Sequence, residues 1–141
     1  MDKKKILVVD DEEKFCKMLK ANLEKDGPYE VQIETKGVQA LALAKTFRPH
    51  LIIMDILMPD LGGCEAAAQI KNDEKLKNVP IIFLTALAKK KDTEIFGGIV
   101  DGRPFIAKPV ISKPVKTKDL IQIIEQNLNK PQGEPASAPP A

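Results

Sequence analysis

Residues 6–12 read Ile6-Leu7-Val8-Val9-Asp10-Asp11-Glu12, four aliphatic side chains that stop abruptly on acids. An unbroken apolar run, without the alternation of a one-sided strand, suits a strand covered on both faces, as in a parallel sheet. Two runs of the same kind follow, Leu51-Ile52-Ile53-Met54 and Ile81-Ile82-Phe83-Leu84, with a shorter one at Phe105-Ile106-Ala107. Val31-Gln32-Ile33-Glu34 alternates apolar and polar, which suits a strand nearer an edge.

Helical stripes lie between these runs. Phe15, Met18, Leu19 and Leu23 recur at helical spacing, and Asp26-Gly27-Pro28 stops that helix. Val38, Leu41, Ala42 and Ala44 form a second stripe that ends before Arg48-Pro49, and Ala66, Ala67 and Ile70 mark a third. Residues 89–96 carry a weak fourth, broken by Gly97-Gly98, and Leu120, Ile123, Ile124 and Leu128 a clear fifth. Strand and helix alternate five times, the pattern of a three-layer α/β domain with helices on both faces of a parallel sheet. The expected domain spans residues 1–129, and the Pro/Ala-rich residues 130–141 read as a disordered tail.

Composition narrows the function. The 141 residues hold 22 Lys plus Arg and 20 Asp plus Glu, a net charge of +2, so charge gives no case for nucleic acid or an anionic membrane as partner. No apolar run approaches the roughly 20 residues of a membrane span. The short run behind Lys3-Lys4-Lys5 ends on Asp10, which argues against a secretion signal, so the expected location is cytoplasmic. Cys16 and Cys64 make neither a disulfide framework nor a zinc site, and no His neighbours either to make it a nucleophile. His50, after Pro49 and before a strand, reads as a surface loop residue rather than a base.

Ligands of an open parallel sheet bind beyond the carboxyl ends of its strands. The residues following the apolar runs are Asp10 and Asp11, Asp55, Thr85 and Lys108. Three carboxylates, a hydroxyl and an ammonium are thereby expected on one rim. At about 4 Å and an effective dielectric of about 20, each pair of like charges costs on the order of 4 kcal/mol. A divalent cation relieves that cost, and all-oxygen ligation suits Mg2+ or Mn2+. A carboxylate can attack phosphorus to form an aspartyl phosphate. Lys108 then pairs with phosphoryl oxygens, and Thr85 donates a hydrogen bond to one of them. The set reads as a phosphoryl-transfer site.

These stretches, with Asp55-Ile56-Leu57-Met58-Pro59, Gly63, Leu84-Thr85-Ala86 and Phe105-Ile106-Ala107-Lys108-Pro109, resemble a response-regulator receiver domain of bacterial two-component systems, over residues 4–129. The resemblance implies a flavodoxin-like sheet of order 2-1-3-4-5, the order for which such a receiver is a standard example. It implies Asp55 as phosphoacceptor, Asp10 and Asp11 as metal-site acids joined by the backbone carbonyl of Leu57, Thr85 as the switch hydroxyl and Phe105 as the switch aromatic. It also implies a phosphohistidine donor on a sensor histidine kinase or phosphotransfer protein. The protein is then no enzyme beyond its own phosphorylation and slow dephosphorylation.

Two features depart from the family pattern. There are two Lys-Pro pairs, Lys108-Pro109 and Lys113-Pro114. Lys108 follows Phe105 at the expected interval, whereas Lys113 has the usual gap to the last helix. Choosing Lys113 puts Pro109 inside a strand, so Lys108 is the expected site lysine and Lys113 the alternative. In the family the peptide after that lysine is typically cis. Leu57 and Leu87, two residues past Asp55 and Thr85, are apolar and cannot position an attacking water, which predicts slow loss of phosphate.

Each residue has a plainer reading. Asp10-Asp11 could cap a helix, Thr85 could be a turn residue, Phe105 could be core, and Lys89-Lys90-Lys91 could be a solvated helix start rather than a docking patch. The in-register set favours a phosphoacceptor module whose fourth helix and fifth strand change shape for an output partner or a homodimer. The alternative is a pseudo-receiver that binds partners without phosphorylation. A haloacid-dehalogenase-like phosphatase is disfavoured, because its second acid would fall at Leu57.

Overall fold

The computed structural model describes residues 2–86, 97–100, 102–107 and 109–129. Its elements are β1 (Lys4–Val9), α1 (Glu13–Asp26), β2 (Tyr29–Glu34), a 3-10 turn (Gly37–Gln39) leading into α2 (Ala40–Phe47), β3 (Leu51–Met54), α3 (Gly63–Lys71), β4 (Ile81–Thr85), β5 (Gly97–Val100), β6 (Arg103–Ile106), β7 (Val110–Ser112) and α4 (Thr117–Leu128). The five-stranded sheet has the order β2-β1-β3-β4-β7, parallel throughout. With β7 as its fifth strand, this is the flavodoxin-like order 2-1-3-4-5.

Because successive side chains of a strand point to opposite faces, each apolar run feeds two cores at once. Leu7, Val9, Ile52, Met54, Ile81 and Phe83 meet Ala40, Ala44 and Phe47 of α2 and Ala66, Ala67 and Ile70 of α3. Ile6, Val8, Leu51, Ile53, Ile82 and Leu84 meet Cys16, Leu19 and Leu23 of α1 and Leu120 and Ile124 of α4. The central strands are therefore buried on both sides, which is why they show no alternation. Burial of each large aliphatic side chain contributes about 1.5–3 kcal/mol. The stops fall where the sequence places them. The Gly27 N–H closes α1 on the Leu23 carbonyl (3.0 Å), and Arg48, in the left-handed region at φ 54, ends α2 ahead of Pro49.

The stretch between β4 and the last strand departs from expectation. The weak helix expected at residues 89–96 lies outside the described residues. Phe105-Ile106-Ala107 is not the fifth sheet strand: Arg103–Ile106 pairs antiparallel with Gly97–Val100 as a separate two-stranded hairpin, and the fifth strand is Val110–Ser112. Gly102, at φ 74, supplies the left-handed residue of the hairpin turn. The hairpin rests on α3. The Phe105 ring is buried against Gly98, where a Cβ would come within 2.8 Å of it, and the Lys71 ammonium lies 5.4 Å from the ring centre. Among the described residues, no helix is long and apolar enough to cross a membrane.

Candidate functional site

The acids are set by the sheet ladder, which runs one bond past each apolar strand. The Asp10 N–H donates to the Glu34 carbonyl (3.0 Å), and the Asp55 N–H donates to the Val9 carbonyl (2.9 Å). Asp55 is thus fixed against β1, directly beside Asp10. The next turn is fixed as tightly. The Gly63 N–H donates to the Ile56 carbonyl at 2.7 Å, and a Cβ on Gly63 would lie 1.9 Å from the Asp55 carbonyl oxygen. Asp60 ties the same loop to the 3-10 turn ahead of α2, accepting the Gly37 N–H (3.2 Å) and the Val38 N–H (3.0 Å).

One ligand oxygen from each of Asp10, Asp11 and Asp55 lies within 4.8 Å of the others. Asp10 and Asp55 are buried and Asp11 is exposed. Burial pushes the Asp55 carboxyl up to about 6, aided by the charge of Asp10, while Lys113 pulls it down. The Asp10 carboxyl is raised by burial too, against the hydrogen bond from Lys113. Two adjacent carboxylates that resist ionisation together mark a cup short of positive charge. The three residues fit a hard divalent cation, offering oxygen donors alone and more negative charge than one ammonium cancels.

That ammonium belongs to Lys113. Its Nζ donates to Asp10 Oδ2 at 2.6 Å and to Glu12 Oε1 at 3.1 Å, and stands 3.9 Å from Asp55 Oδ2. Burial alone would lower the lysine, but the bond to Asp10 and the surrounding acids outweigh it and hold it above its ordinary value. Of the two candidate lysines, the alternative Lys113 is the one the described residues bring to the rim. Lys108 itself lies outside the described residues. The reason is the hairpin: it uses up the residues around Phe105, so the strand that reaches the rim is β7, and Lys113 is the residue that follows it. Pro109 precedes β7 rather than interrupting it and accepts the Phe83 N–H through its carbonyl (2.9 Å). The Lys113–Pro114 peptide is cis.

Thr85 closes β4 and pairs in register with Ser112. Phe105 is corrected likewise. It sits on the hairpin against α3, and the position three before Lys113 is the half-buried Val110. The Leu57 backbone N–H helps to lower the Asp55 carboxyl against its burial, and the Leu57 side chain is exposed. Leu87 and the Lys89-Lys90-Lys91 run lie outside the described residues. His50 is exposed at the far end of β1, its Nδ1 accepting the Lys5 N–H (2.9 Å). Cys16 is buried beneath the cup, its thiol donating to the Asp10 carbonyl at 3.2 Å and pushed up to about 12 by burial and by Asp10. Two neighbours of Lys113 escaped the sequence reading. Glu12 was absorbed into a motif. Phe15, whose ring centre lies 4.3 Å from Nζ, was counted as core. The three-residue spacing of Glu12 and Phe15 was the available signal, since one helical turn brings such residues to one side.

Residues 6–125 match the response regulator receiver domain family. The chain belongs to that family. It is similar to the polar-differentiation response regulator DivK of Brucella anthropi, 35% identical over 127 residues that cover 89% of this chain and 96% of DivK. The receiver domain of a Pseudomonas aeruginosa sensor histidine kinase, solved with a magnesium ion coordinated in its active site cleft, is 30% identical with a TM-score of 0.75, covering 91% of this chain and 99% of that one. The chemotaxis response regulator CheY4 of Vibrio cholerae is 28% identical with a TM-score of 0.72, covering 89% of this chain and 98% of that one. This receiver is thus a protein of two-component signalling.

Proposed function

We propose that this receiver takes a phosphoryl group on Asp55 from a phosphohistidine of a sensor kinase or phosphotransfer protein. The observation that carries the reading is the meeting of Asp10, Asp11, Asp55 and the Lys113 ammonium at one sheet rim. An Asp55 carboxylate oxygen attacks phosphorus. The P–N bond breaks, its electron pair leaves with the imidazole, and an acyl phosphate remains on Asp55. A Mg2+ or Mn2+ ion held by Asp10, Asp11, Asp55 and the Leu57 carbonyl would supply charge neutralisation for the phosphoryl oxygens.

The chain's own residues do the rest. The ladder bond from Asp55 to Val9 and the Gly63 contact fix the nucleophile before the donor arrives. Lys113, 3.9 Å from Asp55, is within a small shift of bonding a phosphoryl oxygen. Thr85 ends β4, and its hydroxyl is the group we assign to bond another phosphoryl oxygen and so report the modification. Phosphorylation adds close to two negative charges, enough to bias a two-state element, and the output passes to a partner protein or a second copy.

The test is incubation with Mg2+ and acetyl phosphate. Intact mass should rise by one phosphoryl group in the wild type and not in Asp55→Asn. A wild type that stays unmodified would favour the pseudo-receiver reading.

A further inference from the structure

We infer that Phe15 is the positioning residue for the Lys113 ammonium, its ring face holding that charge at the rim without occupying a carboxylate oxygen. The inference rests on the reading of Asp55 as phosphoacceptor. Lys113 has three N–H donors. Two are spent on Asp10 Oδ2, which belongs to the acid cup, and on Glu12 Oε1 beside it. The Glu12 contact is weak, since its side chain is 66% exposed. The Asp10 contact is strong, but Asp10 is a candidate cation ligand. With Asp10 engaged elsewhere, the ammonium needs an attraction that competes for no oxygen.

The ring supplies one. Its centre is 4.3 Å from Nζ, inside the range of cation–π attraction, and the Lys113 side chain is only 10% exposed, so water screens the pair little. Phe15 is fixed in turn. It packs against the core shared by α1 and the sheet, and it stands on the first turn of α1, three residues past Glu12. Leucine or methionine would fill much of that space but would offer no π face.

The experiment has two readouts. In the unphosphorylated wild type, the ε-methylene protons of Lys113 should resonate upfield of ordinary lysines through the ring current, and Phe15→Leu should return them to the ordinary position. With Mg2+ and acetyl phosphate, Phe15→Leu should slow phosphorylation on the order of 3- to 30-fold, while Phe15→Trp stays within about twofold. In a Lys113→Met background, Phe15→Leu should cost nothing further, because the ring then has no charge to hold. Wild-type rates in Phe15→Leu, or an equal loss with Lys113 already removed, would overturn the inference. If the wild type takes up no phosphate, the phosphoacceptor reading falls by itself. The ring-current shift then decides the role of Phe15: its absence rejects the role, and its presence upholds it.

Discussion

Gly63 and Asp55 are in backbone contact: the first residue of α3 lies so close to the Asp55 carbonyl oxygen that a side chain there would be 1.9 Å away. Asp55 is thus wedged between the β1 ladder and the start of a helix. Gly63→Ala must push the loop outward, at a cost on the order of 3 kcal/mol, and should slow phosphorylation as Asp55 shifts. Gly62→Ala is the control, since a Cβ there meets nothing closer than 3.7 Å. Urea denaturation of both variants checks the contrast; equal midpoints would refute it.

The acid cup makes stability depend on pH when no divalent cation is present. Asp55 has an ordinary value of 3.8 and sits at about 6 in the fold. Between those values the native state binds more protons than the unfolded one, so stability falls as pH rises. Asp55 alone should make the protein less stable at pH 8 than at pH 5 by about 1.4 kcal/mol, measured in EDTA. Asp10 pulls the same way; His50, lowered chiefly by burial, pulls the other. Asp55→Asn isolates the Asp55 share and should flatten the slope, as should added Mg2+. A slope unchanged in Asp55→Asn would contradict this.

The two lysines should separate cleanly. Lys113→Ala leaves Asp10 and Asp55 without their cation, which should cost on the order of 3 kcal/mol in EDTA and slow phosphorylation strongly. Lys108→Ala should keep the wild-type rate, because the place at the rim is filled by Lys113. A loss confined to Lys108→Ala would reverse the assignment.

Leu57, two residues past Asp55, carries an apolar side chain that is 55% exposed. Leu57→Asn, alone and with Leu87→Glu, should shorten the lifetime of the acyl phosphate by offering a water a hydrogen-bond partner. Decay followed by intact mass would show it, and unchanged lifetimes would end the idea.

Most of the fold was legible because apolar runs of both-face strands and their helix stops are local signals. Asp10, Asp11 and Asp55 were legible for the same reason, each ending such a run. The fifth strand was not. Phe105-Ile106-Ala107 has the larger apolar content, whereas Val110-Ile111-Ser112 has the right place, and only pairing with Phe83, Leu84 and Thr85 tells them apart. The missed cue was Asp101-Gly102 between two four-residue runs, a common two-residue hairpin turn. Phe15 was hidden differently: its spacing serves the core stripe and the rim alike, and its contact with Lys113 spans most of the chain.

The hairpin leans on α3 and takes no place in the main sheet. Thr85 and Ser112 are neighbours across the ladder however much chain is spooled out between them. The length and sequence of the hairpin itself are consequently not tied to the pairing that builds the rim. The tip at Gly102, where a Cβ would meet nothing within 4 Å, is thus where inserted residues are expected to leave the dimensions of the acid rim unchanged.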